Sequence, residues 1–255
     1  MRRAFRHPWV RKANKTYAAN VDKNLIYLTV GAAASLTITL NAVLNEGEEV
    51  IVIAPFFPEY RVFIEKAGGV VKVVKSNEED FQLDFEALEK AISKNTKAII
   101  INSPNNPSGV ILSEDTIIKL GELLNKKQEE IGHEIYLIAD EPYRKLAYGG
   151  VQVPYPTKYY KNTIVCYSFS KALSLPGERI GYIVVSPETD NAGDVFAAIC
   201  GAGRALGFVC APSMWQFVIK ECLDVTADTS IYEENRKKGG FSEKTTLAGT
   251  FCPSC

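Results

Sequence analysis

Lys171 stands in the stretch CYSFSKALSLPGERIGY, residues 166–182, between a hydroxyl-rich strand end and a loop that closes on Arg179. An ammonium is strongly hydrated and costly to bury, so a lysine where a buried strand opens into a loop invites a chemical reading. It is a phosphate clamp, an amine nucleophile for a carbonyl, or an ordinary solvated loop lysine. This stretch alone does not separate the three. Other reactive groups recur in comparable places. The run Gly31-Ala32-Ala33-Ala34-Ser35 precedes a helical pattern and leaves backbone N–H groups open, which suits a phosphate. Phe57 follows Pro55, Asn106 lies in SPNNPSG, and Asp140 and Tyr143 lie in DEPY. Each also has a plainer reading: a tight turn capped by Ser35, a packing residue, a turn former, a helix cap.

Several chemistries are poorly supported. His7 and His133 are the only histidines and neither lies near these loops in sequence, which argues against a metal centre and a Ser-His-Asp hydrolase. The string GAGRALG at residues 201–207 has one residue too many for a dinucleotide loop. Lys and Arg number 29 against 30 Asp and Glu, so neither nucleic acid nor a membrane surface is the expected partner. No apolar run reaches membrane-span length. The six cysteines all fall after residue 165, with no secretory core, and read as free thiols in a reducing, cytoplasmic setting. Cys252 and Cys255 have CxxC spacing but no partner pair.

The elements that must hold these groups alternate in type. Apolar strand patterns fall at 25–30, 49–54, 70–74, 97–102, 134–139, 163–167 and 180–185. Helical patterns lie between them, with Asp84 capping 85–92 and Ser113 capping a helix through about 131. This predicts an α/β fold: a mostly parallel, doubly wound sheet with helices on both faces. The strand at 180–185 follows its predecessor without a full helix and is expected to pair antiparallel. Ligands of such sheets sit at the carboxyl ends of the strands. Gly31, Pro55, Asn106, Asp140 and Ser168 each lie just after an expected strand. Lysine, Asp, Tyr, Asn, Arg, Ser, an aromatic ring and a small-residue loop then share one rim. That set suits a cofactor with an aldehyde, a phosphate and a flat heteroaromatic ring, as in pyridoxal 5'-phosphate.

The spaced motifs TVGAAAS (29–35), APFFPEY (54–60), NSPNNPSG (102–109), ADEPYRKLAY (139–148) and SFSKALSLPGERIGY (168–182) resemble fold-type I pyridoxal-phosphate enzymes of the class I/II aminotransferase family. The resemblance runs over residues 24–236 and implies the large domain of that fold. It implies that Lys171 forms the internal aldimine and moves the proton between Cα and C4′. Asp140 would pair with the pyridine nitrogen, Tyr143 and Asn106 with the phenolic oxygen, and Phe57 would stack on the ring. Backbone N–H groups of Ala32 and Ala33, with Ser168, Ser170 and Arg179, would hold the phosphate. The peptide bonds 54–55 and 106–107 would be cis.

The pattern breaks at both ends. Residues 1–23 read as a basic lead-in, a solvated helix or irregular segment interrupted by Pro8, and 237–255 as an irregular tail. By resemblance, an N-terminal segment and most of a C-terminal small domain are missing, and with them the arginine for the substrate carboxylate. The expectation is a truncated aminotransferase acting on an amino acid and a 2-oxo acid, a homodimer if intact. A carbon–sulfur lyase and a non-catalytic cofactor-binding remnant are the competing readings.

Overall fold

The computed structural model describes residues 2–148, 150–224, 230, 234 and 238, with side chains from residue 6 onward. The tail expected at 237–255, including Cys252 and Cys255, lies almost wholly outside the described residues.

The chain opens with α1 (Arg2–Tyr17), followed by β1 (Ile26–Thr29) and α2 (Ala32–Val43). Next come β2 (Glu49–Ala54), α3 (Glu59–Lys66), β3 (Val70–Lys75) and α4 (Phe85–Ala91). β4 (Thr96–Asn102), α5 (Glu114–Ile131) and β5 (Tyr136–Asp140) complete the central part. β6 (Thr163–Ser168), the short α6 (Phe169–Ala172), β7 (Gly181–Val185), α7 (Ala192–Ala205) and α8 (Ser213–Glu221) finish it.

One seven-stranded sheet runs β1-β7-β6-β5-β4-β2-β3. β7 pairs antiparallel with both β6 and β1, and the other neighbours are parallel. β1 therefore points the same way as β6, and β1, β2, β4, β5 and β6 end on one rim. Side chains alternate across the sheet, so each strand feeds two cores. Ile99 and Ile101 pack with Leu120 and Leu124 of α5, whereas Ala98 and Ile100 pack with Leu36, Leu40 and Ile64 on the other face. The expected caps are present: Asp84 accepts from the Ala87 N–H at 2.9 Å, and Ser113 from the Thr116 N–H at 3.1 Å.

Two expectations change. The basic start is a helix that runs through Pro8 and buries one face: Trp9 and Ala13, one turn apart, are 5% and 1% exposed. The Trp9 ring lies 4.5 Å from that of Tyr182, so tertiary packing outweighs the hydrogen bond that Pro8 cannot make. Ser35 does not cap α2. Gly31 holds the cap position at φ +98°, and Ser35 Oγ donates back to its carbonyl at 3.1 Å.

Candidate active site

Asp140 closes β5, flanked in register by Asn102 of β4 and Cys166 of β6. It is 5% exposed. The Tyr60 hydroxyl donates to its Oδ2 at 2.6 Å, while Oδ1 is buried with no partner. Burial pushes the carboxyl up to about 7; the Tyr60 bond opposes this and Glu141 adds to it. Asn102 braces the strand end: its Nδ2 donates to the Asp140 carbonyl at 2.8 Å, and its Oδ1 accepts from the Asn106 N–H at 2.6 Å. Burial and then the charge of Asp140 push the Tyr143 phenol up, and the neighbouring Asn106 side chain opposes this. Lys171 Nζ lies 6.0 Å from the centre of the Tyr143 ring. The Phe57 ring meets Tyr60 edge-on at 5.7 Å. Peptide bonds 54–55, 103–104 and 106–107 are cis; the family resemblance implied the first and third.

The second half of the rim is a cradle. Ser168 caps α6, with its Oγ accepting from the Ser170 N–H at 3.1 Å and lying 2.7 Å from Ser170 Oγ. Arg179 Nη1 donates to Ser170 Oγ at 3.5 Å and to the Pro176 carbonyl at 2.9 Å. A Cβ on Gly31 would stand 2.5 Å from Arg179 Nη2, and one on Gly181 would stand 2.3 Å from the Tyr167 carbonyl oxygen. Only glycines let the α2 start, β7 and the guanidinium close on one another here. The first helical bond of α2 runs from the Ser35 N–H to the Gly31 carbonyl, so the N–H groups of Ala32 and Ala33 have no partner within the helix. Their end of α2 carries positive partial charge.

Every residue singled out in the sequence thus lies on the rim: Ala32, Ala33, Phe57, Asn106, Asp140, Tyr143, Ser168, Ser170, Lys171 and Arg179. Hydrogen bonds and ring contacts through Tyr60 and Asn102 tie Asp140, Phe57 and Asn106 into one group, and Lys171 faces the ring of Tyr143, which feels the charge of Asp140 and the side chain of Asn106. Ser168, Ser170, Arg179 and the α2 start form the other, and α6 joins the two. Four participants were not anticipated: Tyr60, Asn102, Glu141 and Arg144. All four sit inside motifs already noted, but only the fold brings Tyr60 and Asn102 against Asp140. Glu141 and Arg144 form a buried ion pair in the turn that follows it.

The donor set fits a pyridoxal-type cofactor on the orphaned Asp140 oxygen and on the cradle that a Cβ would fill. Fold and rim together define an α/β scaffold that offers a buried carboxylate at one end and a small-residue anion cradle at the other. The chain belongs to the aminotransferases of class I and II, whose family model matches residues 2–249. An amino transferase from Eubacterium rectale, 51% identical, superposes with a TM-score of 0.90 over 92% of this chain and 59% of that one. The aspartate aminotransferase from Thermus thermophilus with maleate, 26% identical, gives 0.78 over 92% and 58%. A probable aspartate aminotransferase of Methanocaldococcus jannaschii is 31% identical over 206 residues, 81% of this chain and 52% of that relative. The chain spans about half the length of the curated relatives it matches.

Proposed function

We propose that this chain carries the cofactor site of a pyridoxal 5'-phosphate-dependent aminotransferase, which moves an amino group between an amino acid and a 2-oxo acid. Asp140 carries the reading. A buried carboxylate with one oxygen satisfied by Tyr60 and the other without a partner is a poor structural element and a good receptor for a ring N–H cation. When bound, pyridoxal phosphate supplies an electron sink for the carbanion formed at the substrate's Cα. The protein's part is to bind, orient and move protons. Asp140 Oδ1 would hold the ring nitrogen protonated. Asn106 and Tyr143, which lie beside each other, would orient the phenolic oxygen, and Phe57 would cover the ring face. The N–H groups of Ala32 and Ala33, Ser168, Ser170 and Arg179 would take the phosphate, with the Arg179 fork suited to two parallel bonds. Lys171 Nζ would anchor the carbonyl carbon, then take and return the proton at the substrate's Cα.

Relatives named as aspartate and aspartate/prephenate aminotransferases make aspartate the first donor to try. A cytoplasmic homodimer is part of the proposal, the location supported by the free thiols of Cys166, Cys210 and Cys222 and the dimer by the family resemblance. Adding pyridoxal phosphate to the 255-residue chain should give a visible absorbance band that Lys171→Ala lacks. Aspartate alone should then shift that band to the amine form of the cofactor. A wild-type spectrum equal to that of free cofactor overturns the assignment.

A further inference from the structure

We propose that the Glu141–Arg144 ion pair is a positioning staple that aims Asp140 and Tyr143, and that Tyr17 of α1 is its outer brace. What is aimed rests on the cofactor reading above; the staple itself does not.

The two residues flank the turn that carries Pro142 and Tyr143. Glu141 is anchored to β6, with its N–H donating to the Cys166 carbonyl at 2.9 Å. The backbone closes the turn poorly, since the Arg144 N–H reaches the Glu141 carbonyl only at 3.4 Å. The side chains close it instead. Arg144 Nε donates to Glu141 Oε2 at 2.6 Å, and Nη2 donates to Oε1. The same guanidinium donates to the carbonyls of Val153 and Pro154, each at 2.7 Å. Glu141 and Arg144 are 3% and 6% exposed. A buried ion pair of this kind adds little net stability over an apolar pair of the same volume. Its geometry is what an apolar pair could not copy: the planar fork fixes two oxygens and two carbonyls at once.

The outer end of the fork rests on aromatic rings. The guanidinium carbon lies 5.1 Å from the Tyr17 ring centre and 4.9 Å from that of Tyr155. The two rings stack at 5.0 Å with 9° between their planes. A helix far from the rim in sequence is thereby linked through one side chain to the turn that holds Asp140 and Tyr143.

Arg144→Lys keeps the charge but loses the fork. In the full chain, the amides of Arg144 and Leu146 should exchange hydrogen about tenfold faster or more, with β5 and β6 unchanged. Pyridoxal phosphate should bind about tenfold more weakly, and the visible circular dichroism per bound cofactor should fall. Loss of thermal stability alone would leave that last signal intact. Tyr17→Leu removes the brace without touching the ion pair and should speed the same amides about two- to fivefold. It decides the matter if Arg144→Lys does not fold. Unchanged exchange at these amides in a folded variant overturns the staple, whether or not the wild type binds pyridoxal phosphate. Faster exchange with unchanged affinity and circular dichroism overturns its aiming role. A wild type that binds no cofactor while the amides respond overturns the functional reading, and with it the aiming role, but keeps the staple.

Discussion

Asp140 and Arg179 sit on one rim and are built in opposite ways. Asp140 is buried, and its carboxyl is defined by what surrounds it: one donor from Tyr60, one oxygen left open, and a low-dielectric setting that pushes it to about 7. Arg179 is exposed and defined by backbone. It has φ +50°, and its guanidinium lies where the missing Cβ of Gly31 makes room. On the proposed reading, the partner of a buried cation is set by its desolvated surroundings and the partner of a solvated phosphate by shape. The two ends should therefore fail differently.

The largest effect is expected at the buried end. Asp140→Asn replaces a charge-assisted bond by a neutral one and should weaken pyridoxal phosphate binding about 10- to 150-fold, read by absorbance titration. If the loss is under about threefold, the buried carboxylate is not the ring-nitrogen partner. At the cradle, Gly31→Ala should weaken binding about tenfold and cost roughly 1–2 kcal/mol in denaturant unfolding, because φ +98° is strained for any side chain and Arg179 must move. Added free phosphate should compete with the cofactor in the wild type and less well in this variant.

The pH dependence separates the ends further. Without cofactor, Asp140 holds a proton in the folded chain up to about 7, against an ordinary value of 3.8. Between about pH 4 and 7 the folded chain thus binds more protons than the unfolded one, and stability should fall as pH rises through that window. Glu141, also pushed up by burial, adds in the same direction. Asp140→Asn should flatten part of this slope, whereas Arg179→Gln should leave it unchanged. The smallest effect is expected from Tyr60→Phe. Losing the hydroxyl that opposes the upward push should extend the falling window to higher pH, measured by thermal unfolding from pH 4 to 9.

Much of this was legible in the residues themselves. The alternation of strand and helix, the caps at Asp84 and Ser113, and the antiparallel seventh strand follow from local pattern. So do the rim positions of Gly31, Asn106, Asp140 and Lys171, because a strand end is a local event. Helix α1 was harder, since Pro8 argues locally against it and only contacts such as Trp9 on Tyr182 favour it.

What the sequence determined alone was the list of reactive groups and the rim that carries them. Their types and spacing are written in the chain and need no partner to be read. What the tertiary structure decided was which atoms meet. Tyr60 satisfies one oxygen of Asp140, Arg179 fills the space left by Gly31, and Arg144 ties Glu141 to Tyr17 across 127 positions of sequence, from residue 17 to residue 144. No local rule carries such pairings, because each depends on strands and helices first being stacked into one sheet.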